Sequence, residues 1–205
     1  MRVSRRQLLC VGMSLSALSV AGCQLPGSGP PPREFRVTQK STFPQDLPDV
    51  DWSLVVERPN SLRSIDTPRM ARTSGVEMEY YAGATWIDRP PVMIEPLIIQ
   101  SFRSSGAIDV VADRRSGVRP DFLLQTDITA FEAMQRASGP PDVRVAMSAT
   151  LIRMPRREVV GTTQIGRTVT ARATDLESIA LAFDDALGKV LKRLVEWTLR
   201  IGEAA

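Results

Sequence analysis

Cys23 is the residue of this sequence with the clearest covalent chemistry, and its neighbours define that chemistry. It follows residues 18–22, which read LSVAG. A short run of apolar and small residues before a cysteine is typical of the bacterial lipobox. There the thiol forms a thioether with diacylglycerol, the preceding peptide bond is cleaved, and an acyl chain such as palmitate is added to the new N-terminus. The spacing predicts cleavage between Gly22 and Cys23 and a lipid anchor on Cys23.

The residues before Cys23 have the parts of an export signal. Arg2, Arg5 and Arg6 form the positive end. The apolar stretch that follows has about 13 residues, fewer than the roughly 20 that a membrane-spanning helix needs. We predict a lipoprotein signal peptide over residues 1–22, with an uncleaved anchor or a simple secretory signal as alternatives. Residues 4–9 (SRRQLL) resemble a twin-arginine signal, which leaves the export route open between Sec and Tat.

The segment after the cysteine predicts a tether, residues 23–34. Residues 24–34 contain four prolines and two glycines, a composition that favours extended polyproline geometry over a helix or a strand. At about 3 Å per residue, the tether reaches roughly 30 Å from the lipid. Gln24 stands where an aspartate would signal retention at the inner membrane. This favours the inner leaflet of the outer membrane, facing the periplasm, with the inner membrane as the alternative.

The remaining composition argues against catalysis and against a nucleic-acid partner. The formal charge is +3, but Arg2, Arg5 and Arg6 are the only charged residues before Cys23. Without them the chain has 23 basic and 23 acidic residues and a formal net charge of zero. A neutral mature chain lacks the basic footprint of nucleic-acid binding. Histidine, the usual acid–base group and commonest metal ligand, is absent from the sequence. No metal-ligand spacing or phosphate loop is recognisable, so we expect no enzyme activity, no cofactor and no metal site.

Alternating apolar and polar residues predict β-strands along most of the chain. The longest three, at residues 121–134, 142–154 and 158–171, read as an antiparallel meander with one apolar and one wetted face. The predicted apolar sets are Phe122, Leu124, Ile128 and Ala130 in the first strand, Val143, Val145, Met147, Ala149 and Leu151 in the second, and Val159, Ile165 and Val169 in the third. Shorter strands are predicted at residues 35–38, 52–57, 70–73, 76–80 and 108–112.

Two helices complete the prediction. The first starts at Pro90 and ends at Gly106, and Pro96 is expected either to kink it or to mark its true first turn. The second starts at a capping box, residues 174–177, and ends at Gly202. Its apolar stripe is assigned to the core and consists of Leu176, Ile179, Phe183, Leu187, Val190, Leu191, Leu194, Trp197 and Ile201.

Tyr80, Tyr81 and Trp86 form an aromatic cluster in the sequence, within seven positions at the junction between a strand and the first helix. One interpretation is aromatic packing across that corner, with the polar tips reaching backbone groups. The other is the rim of a groove or a subunit contact. We take the three residues as partner-contact candidates.

Several segments resemble the ABC-type transport auxiliary lipoprotein family, which accompanies mammalian-cell-entry (MCE) domain proteins in Gram-negative lipid transport. Residues 80–86 (YYAGATW) followed by a helix resemble its tyrosine-to-tryptophan segment. Residues 120–131 resemble its central strand, and residues 140–152 and the terminal helix through Trp197 resemble its closing elements. The order of lipobox, proline tether, aromatic corner, three strands and final helix also matches. Ile87 departs from the family, which often has an acidic residue there.

The resemblance implies an α+β fold, a mostly antiparallel mixed sheet with two main helices packed on it, in a single periplasmic domain over residues 35–205. It implies a non-enzymatic accessory subunit with an MCE-domain protein and ABC permease and ATPase subunits as partners in phospholipid transport. It brings no catalytic residues. A stand-alone lipid-binding carrier and an envelope enzyme are the alternative functions, and a homo-oligomer is left open.

Overall fold

The structure, a computed structural model, describes residues 31–205. The predicted signal peptide, the Gly22–Cys23 cleavage site and the tether up to residue 30 lie outside the described residues. The described helices are α1 (Pro90–Ser105) and α2 (Leu176–Glu203), and a short 3-10 helix spans Arg114–Ser116. The strands are β1 (Arg33–Phe35), β2 (Leu54–Val56), β3 (Asn60–Ser61), β4 (Arg69–Ser74), β5 (Glu77–Trp86), β6 (Val111–Asp113), β7 (Phe122–Met134), β8 (Asp142–Arg153) and β9 (Glu158–Thr170).

Strand β7 is the centre of one mixed sheet. One of its edges pairs antiparallel with β8, which in turn pairs antiparallel with β9. Its other edge is shared along its length by β2, β3 and β4, all parallel to it. Strand β6 extends the sheet beyond β2, and β5 and then β1 extend it beyond β4. The antiparallel pairings are long and the parallel ones have two or three residue pairs each, which confirms the predicted α+β class.

The core lies between one face of this sheet, here called the helix face, and the two helices. The central part of the α2 stripe, from Ile179 to Leu194, is fully buried, while Leu176, Trp197 and Ile201 pack against the core from its margin. The predicted apolar face of β8 is also buried. A smaller apolar cluster on the opposite, open face consists of Val55, Ala112, Leu123 and Ile152. The predicted core positions of the α2 stripe and of the apolar face of β8 are confirmed.

Helix α1 begins where the sequence predicts. Pro90 stands in its first turn, and Gly106 closes it with φ = 68°, a left-handed conformation that glycine adopts without a Cβ clash. Pro96 lies inside the helix. The alternative that Pro96 marks the first turn is therefore wrong.

Two β-bulges change which residues face the helices. A bulge between Ile128 and Ala130 puts Ala130 opposite Ala146 on the open face and turns Phe131 to the core instead. A second register shift places Val159 opposite Ile152, and Val159 is 64% exposed. The predicted positions of Ala130 and Val159 are wrong, because one extra residue in a strand reverses the alternation beyond it.

The ends of several elements also differ from the prediction. Asp175, not Thr174, caps α2, with its carboxylate accepting a 2.9 Å hydrogen bond from the Ser178 backbone N–H. The helix continues through Gly202 and ends at Glu203, so the predicted C-terminus is wrong. Strand β1 starts at Arg33, inside the predicted tether range.

The starts of β2 and β7 are joined by a polar clamp that predicts an acid-sensitive contribution to stability. Asp121 accepts hydrogen bonds from the Ser53 backbone N–H (2.8 Å) and hydroxyl (2.7 Å), and these bonds lower the pKa of the Asp121 carboxyl. A lowered pKa in the folded state stabilises the protein above about pH 4, and the effect is lost as pH falls through the folded pKa. We expect Asp121→Asn to lose about 1 kcal/mol at pH 7, since solvent screens part of the bond.

Urea unfolding at pH 7 and pH 3 measures this effect. The difference between wild type and Asp121→Asn is expected to shrink at pH 3. Asp109→Asn, at an exposed aspartate before β6, is the control and should show no such difference. A gap between wild type and Asp121→Asn that is equal at both pH values would contradict the clamp.

Candidate partner-binding surface

The predicted aromatic cluster lies on a β-hairpin formed by β4 and β5. Ser74 pairs with Glu77, so the hairpin turns through the two residues Gly75 and Val76. Gly75 has φ = 61°, the backbone conformation that two-residue hairpin turns require at such positions. The hairpin carries Tyr80 and Tyr81 in its second strand and delivers Trp86 to the sheet.

Trp86 is a core residue. It is 2% exposed, and its ring centroid lies 5.2 Å from that of Phe131 and 5.0 Å from that of Phe183. The Phe131 and Phe183 rings are themselves 4.8 Å apart. Strand β5 is flanked by β1 and β4 at this point, and the indole packs within the main core cluster. The structure therefore places Trp86 in the core and supports aromatic packing for it, but its buried indole N–H has no hydrogen-bond partner among the described residues, so the expected contact with a backbone group is not formed.

Tyr80 is held in place from two directions. Its hydroxyl donates a 3.1 Å hydrogen bond to the Ser64 carbonyl. The Arg69 guanidinium carbon lies 3.8 Å from the ring centroid, within the range of a cation–π contact. The ring is half-buried, so it offers a rigid, partly accessible surface.

Tyr81 projects to the opposite face of the hairpin, because consecutive strand residues alternate. Its hydroxyl accepts a 2.7 Å hydrogen bond from Gln135 Nε2, and burial raises the pKa of the phenol. Arg72 lies 5.4 Å from the ring centroid and forms an ion pair with Glu79 at 2.7 Å. The two tyrosines therefore remain candidates on two different faces, not one joint aromatic platform.

The hairpin tip is an exposed apolar feature that the sequence reading missed. Val76 is fully exposed at the turn, and Met78 in the strand beside it is 39% exposed. Glu77 lies between these two apolar residues, and Glu79 follows Met78. The alternation of Val76 and Met78 with acidic residues predicts a half-buried strand, whereas the turn signal at Gly75 indicates that Val76 lies outside the sheet.

Within residues 31–205, no group of three or more His, Cys, Asp or Glu residues is arranged to hold a metal ion. A search of the same residues finds no helix with the length and apolar character to span a bilayer.

Comparison with known proteins identifies the family. The sequence profile of the ABC-type transport auxiliary lipoprotein component matches residues 36–195, which is most of the chain. The chain belongs to this family. Membership of a lipoprotein family implies a location in the cell envelope for this auxiliary lipoprotein.

Solved structures agree with the assignment. The auxiliary lipoprotein resembles protein XCC0632 from Xanthomonas campestris with a TM-score of 0.80 and 29% identity, over 84% of this chain and 97% of that one. A second crystal structure, of an uncharacterised protein, has a TM-score of 0.64 at 9% identity and covers 81% of this chain and 97% of that one, and it shows the fold alone.

A curated relative is longer than this chain. An uncharacterised protein of Bradyrhizobium diazoefficiens is 22% identical over 180 residues, which are 86% of this chain and 48% of the relative. The auxiliary lipoprotein thus spans about half the length of that relative.

Proposed function

We propose that this protein is a lipid-anchored accessory subunit of an ABC-type intermembrane transport system that contains an MCE-domain protein, a permease and an ATPase and moves phospholipid. The observation that carries the proposal is the family match over residues 36–195. The lipobox at residues 18–23 supports the anchor on Cys23. The residue after it, Gln24, favours the inner leaflet of the outer membrane, with the inner membrane as the alternative.

In this proposal the protein acts by holding its periplasmic domain close to the membrane. The tether holds the domain within roughly 30 Å of the membrane, and the domain surface engages the periplasmic MCE assembly. The β4–β5 hairpin is a suitable contact because Val76 is fully exposed and Tyr80 and Tyr81 are held by hydrogen bonds behind it. Two such fixed aromatic side chains lose little conformational freedom on binding.

The proposed subunit is not an enzyme, and ATP is consumed by the ATPase subunit. The sequence supports this because it contains no histidine and no recognisable nucleophile or phosphate-binding motif. A role in assembly requires surface complementarity to the partner and a fixed location at the membrane, and it requires no acid–base group.

Site-specific photo-crosslinking in native membranes tests the proposal. A benzoylphenylalanine at position 76 should capture an MCE-domain protein, identified by mass spectrometry. The same residue at position 110, which is also exposed but lies before β6, is the control and should capture none. Capture of no MCE-domain protein from position 76 would contradict the proposed contact. A pull-down of the wild-type protein from native membranes treated with a general chemical crosslinker tests the transport assignment separately, and recovery of no MCE-domain protein there would contradict it.

The Cys23→Ser form of the crosslinking protein tests the anchor in the same experiment. It should move to the soluble fraction and lose the crosslink from position 76, because no acyl chain holds the domain at the membrane. Labelled palmitate that is still incorporated into Cys23→Ser would show that Cys23 is not the modified residue.

A further inference from the structure

Strand β9 is an open edge of the sheet. It has 13 residues and pairs with β8 alone, so no described strand occupies its outer edge. An edge strand presents unpaired backbone N–H and C=O groups to which another extended chain can add. Proteins commonly blunt such edges with lysine, proline, a bulge or a very short strand.

Most of β9 lacks these protective features. The bulge near Val160 distorts only the beginning of the strand, and residues 161–170 contain neither lysine nor proline. Arg167 is the one charged residue in that stretch, and its Nη1 donates a 2.7 Å hydrogen bond to the Gly166 carbonyl. Ten residues with regular pairing to β8 are therefore available for strand addition.

A groove runs beside this edge, between β9 and α2. Its central part has a volume of about 400 Å³, with Ile165 and Trp197 among its apolar walls. Hollows continue along the same seam to both ends of β9, bordered by Val160 and Ile201 at one end and by Val169 and Leu181 at the other. A strand added to β9 would place every second side chain over this groove, because strand residues alternate between faces.

The groove carries excess positive charge. Arg167, Arg193 and Arg200 line its central part together with a single carboxylate, Glu196. Arg193 shares Glu196 with Lys192, at 3.7 Å and 3.8 Å respectively.

The arginines differ in how far they are neutralised. Arg200 is paired with Asp46 at 2.8 Å, whereas Arg167 forms its side-chain hydrogen bond with a backbone carbonyl. Positive charge therefore remains available beside the open edge, and a carboxylate-bearing partner complements it.

We infer that β9 and the groove beside it form a receptor for an extended acidic segment of a partner protein, which adds as a further strand with its carboxylates over Arg167 and Arg193. Symmetric pairing of β9 with β9 of a second copy is disfavoured, because it would bring two positively charged grooves together. The inference adds a binding site to the proposed function. It rests on that function in one respect, the existence of a protein partner.

A model peptide tests the receptor with the full-length lipoprotein in detergent. The probe is a labelled ten-residue peptide of alternating glutamate and threonine, and binding is measured by fluorescence anisotropy. We expect saturable binding, together with slower hydrogen–deuterium exchange in residues 161–170. Two control peptides should each bind at least tenfold more weakly. An alternating lysine–threonine peptide lacks the negative charge, and a glutamate–threonine peptide with N-methylated alternate amides lacks the backbone N–H donors.

Charge reversal in the protein completes the test. Arg167→Glu with Arg193→Glu should weaken binding at least tenfold, and Arg156→Glu in the β8–β9 turn is the matched control and should leave it unchanged. If the double variant fails to fold, a rise in salt from 50 to 500 mM should still weaken wild-type binding several-fold.

Absence of saturable binding of the acidic peptide would overturn the inference, and so would three other results. One is peptide binding without protection of β9, and another is equal binding of the acidic and basic peptides. The third is a concentration-dependent dimer that protects β9 without any peptide, because it would assign the edge to a second copy. None of these results bears on the capture of an MCE-domain protein from position 76, so failure here is distinguishable from failure of the proposed function.

Discussion

Phe183→Ala is expected to destabilise the domain by about 3–5 kcal/mol. Phe183 is fully buried in α2, and its ring lies 5.0 Å from Trp86 of β5 and 4.8 Å from Phe131 of β7. It therefore joins three elements that are distant in the sequence. Removing the ring loses its transfer free energy and leaves a cavity that rigid aromatic neighbours fill poorly. Urea unfolding followed by tryptophan fluorescence measures the loss.

Leu181→Ala is the matched control for Phe183→Ala. Leu181 lies two residues away in the same helix and is 57% exposed, so its truncation should change stability by no more than about 0.5 kcal/mol. Helix propensity is nearly equal for leucine and alanine, which leaves burial as the main difference between the two sites. Equal destabilisation by the two substitutions would contradict the central role of the aromatic cluster.

Gly202→Ala is expected to destabilise the domain by about 1–3 kcal/mol, although alanine is the better helix former. A Cβ at position 202 would lie 2.6 Å from Cζ2 of Trp52, closer than atoms pack without displacement. Trp52 is braced in turn by an edge-on contact with Phe122, with ring centroids 4.8 Å apart. The indole is rigid, so either it or the last turn of α2 must move.

Gly188→Ala tests the same substitution where there is room. It lies in the same helix, and apart from its chain neighbours and the backbone of its own helical turns no atom lies within 4 Å of the added methyl group, so the substitution should stabilise the domain by up to about 1 kcal/mol. The cause can be isolated by a double-mutant cycle. In a Trp52→Ala background, Gly202→Ala should no longer be destabilising, and a loss that persisted there would show that Trp52 is not the obstacle.

Gly202 shows what local sequence patterns cannot predict. Glycine after a periodic helical pattern usually marks a helix end, and on that basis Gly202 was predicted to end α2. In the structure Gly202 lies within the helix, and glycine is needed there because a tryptophan 150 residues earlier in the chain occupies the space where a side chain would be. That contact has no local signature.

The aromatic corner makes the same point for the candidate contact surface. Tyr80, Tyr81 and Trp86 are equivalent in the sequence as a cluster, but the structure sends Trp86 to the core and the two tyrosines to opposite faces of a hairpin. Burial depends on which strands flank β5 and on Phe131 reaching the helix face through a bulge. Both are properties of pairing between distant segments.

The lipid anchor on Cys23 is a prediction from the sequence alone. The start and end of α1, the buried stripe of α2 and the apolar face of β8 also follow from the sequence by itself, because each depends on neighbours a few residues away. Only the tertiary structure decides the strand registers at the bulges, the burial of Trp86, the need for glycine at position 202 and the unpaired edge of β9. Those features arise where segments far apart in the chain meet, and a one-residue shift in their pairing changes which side chains are buried.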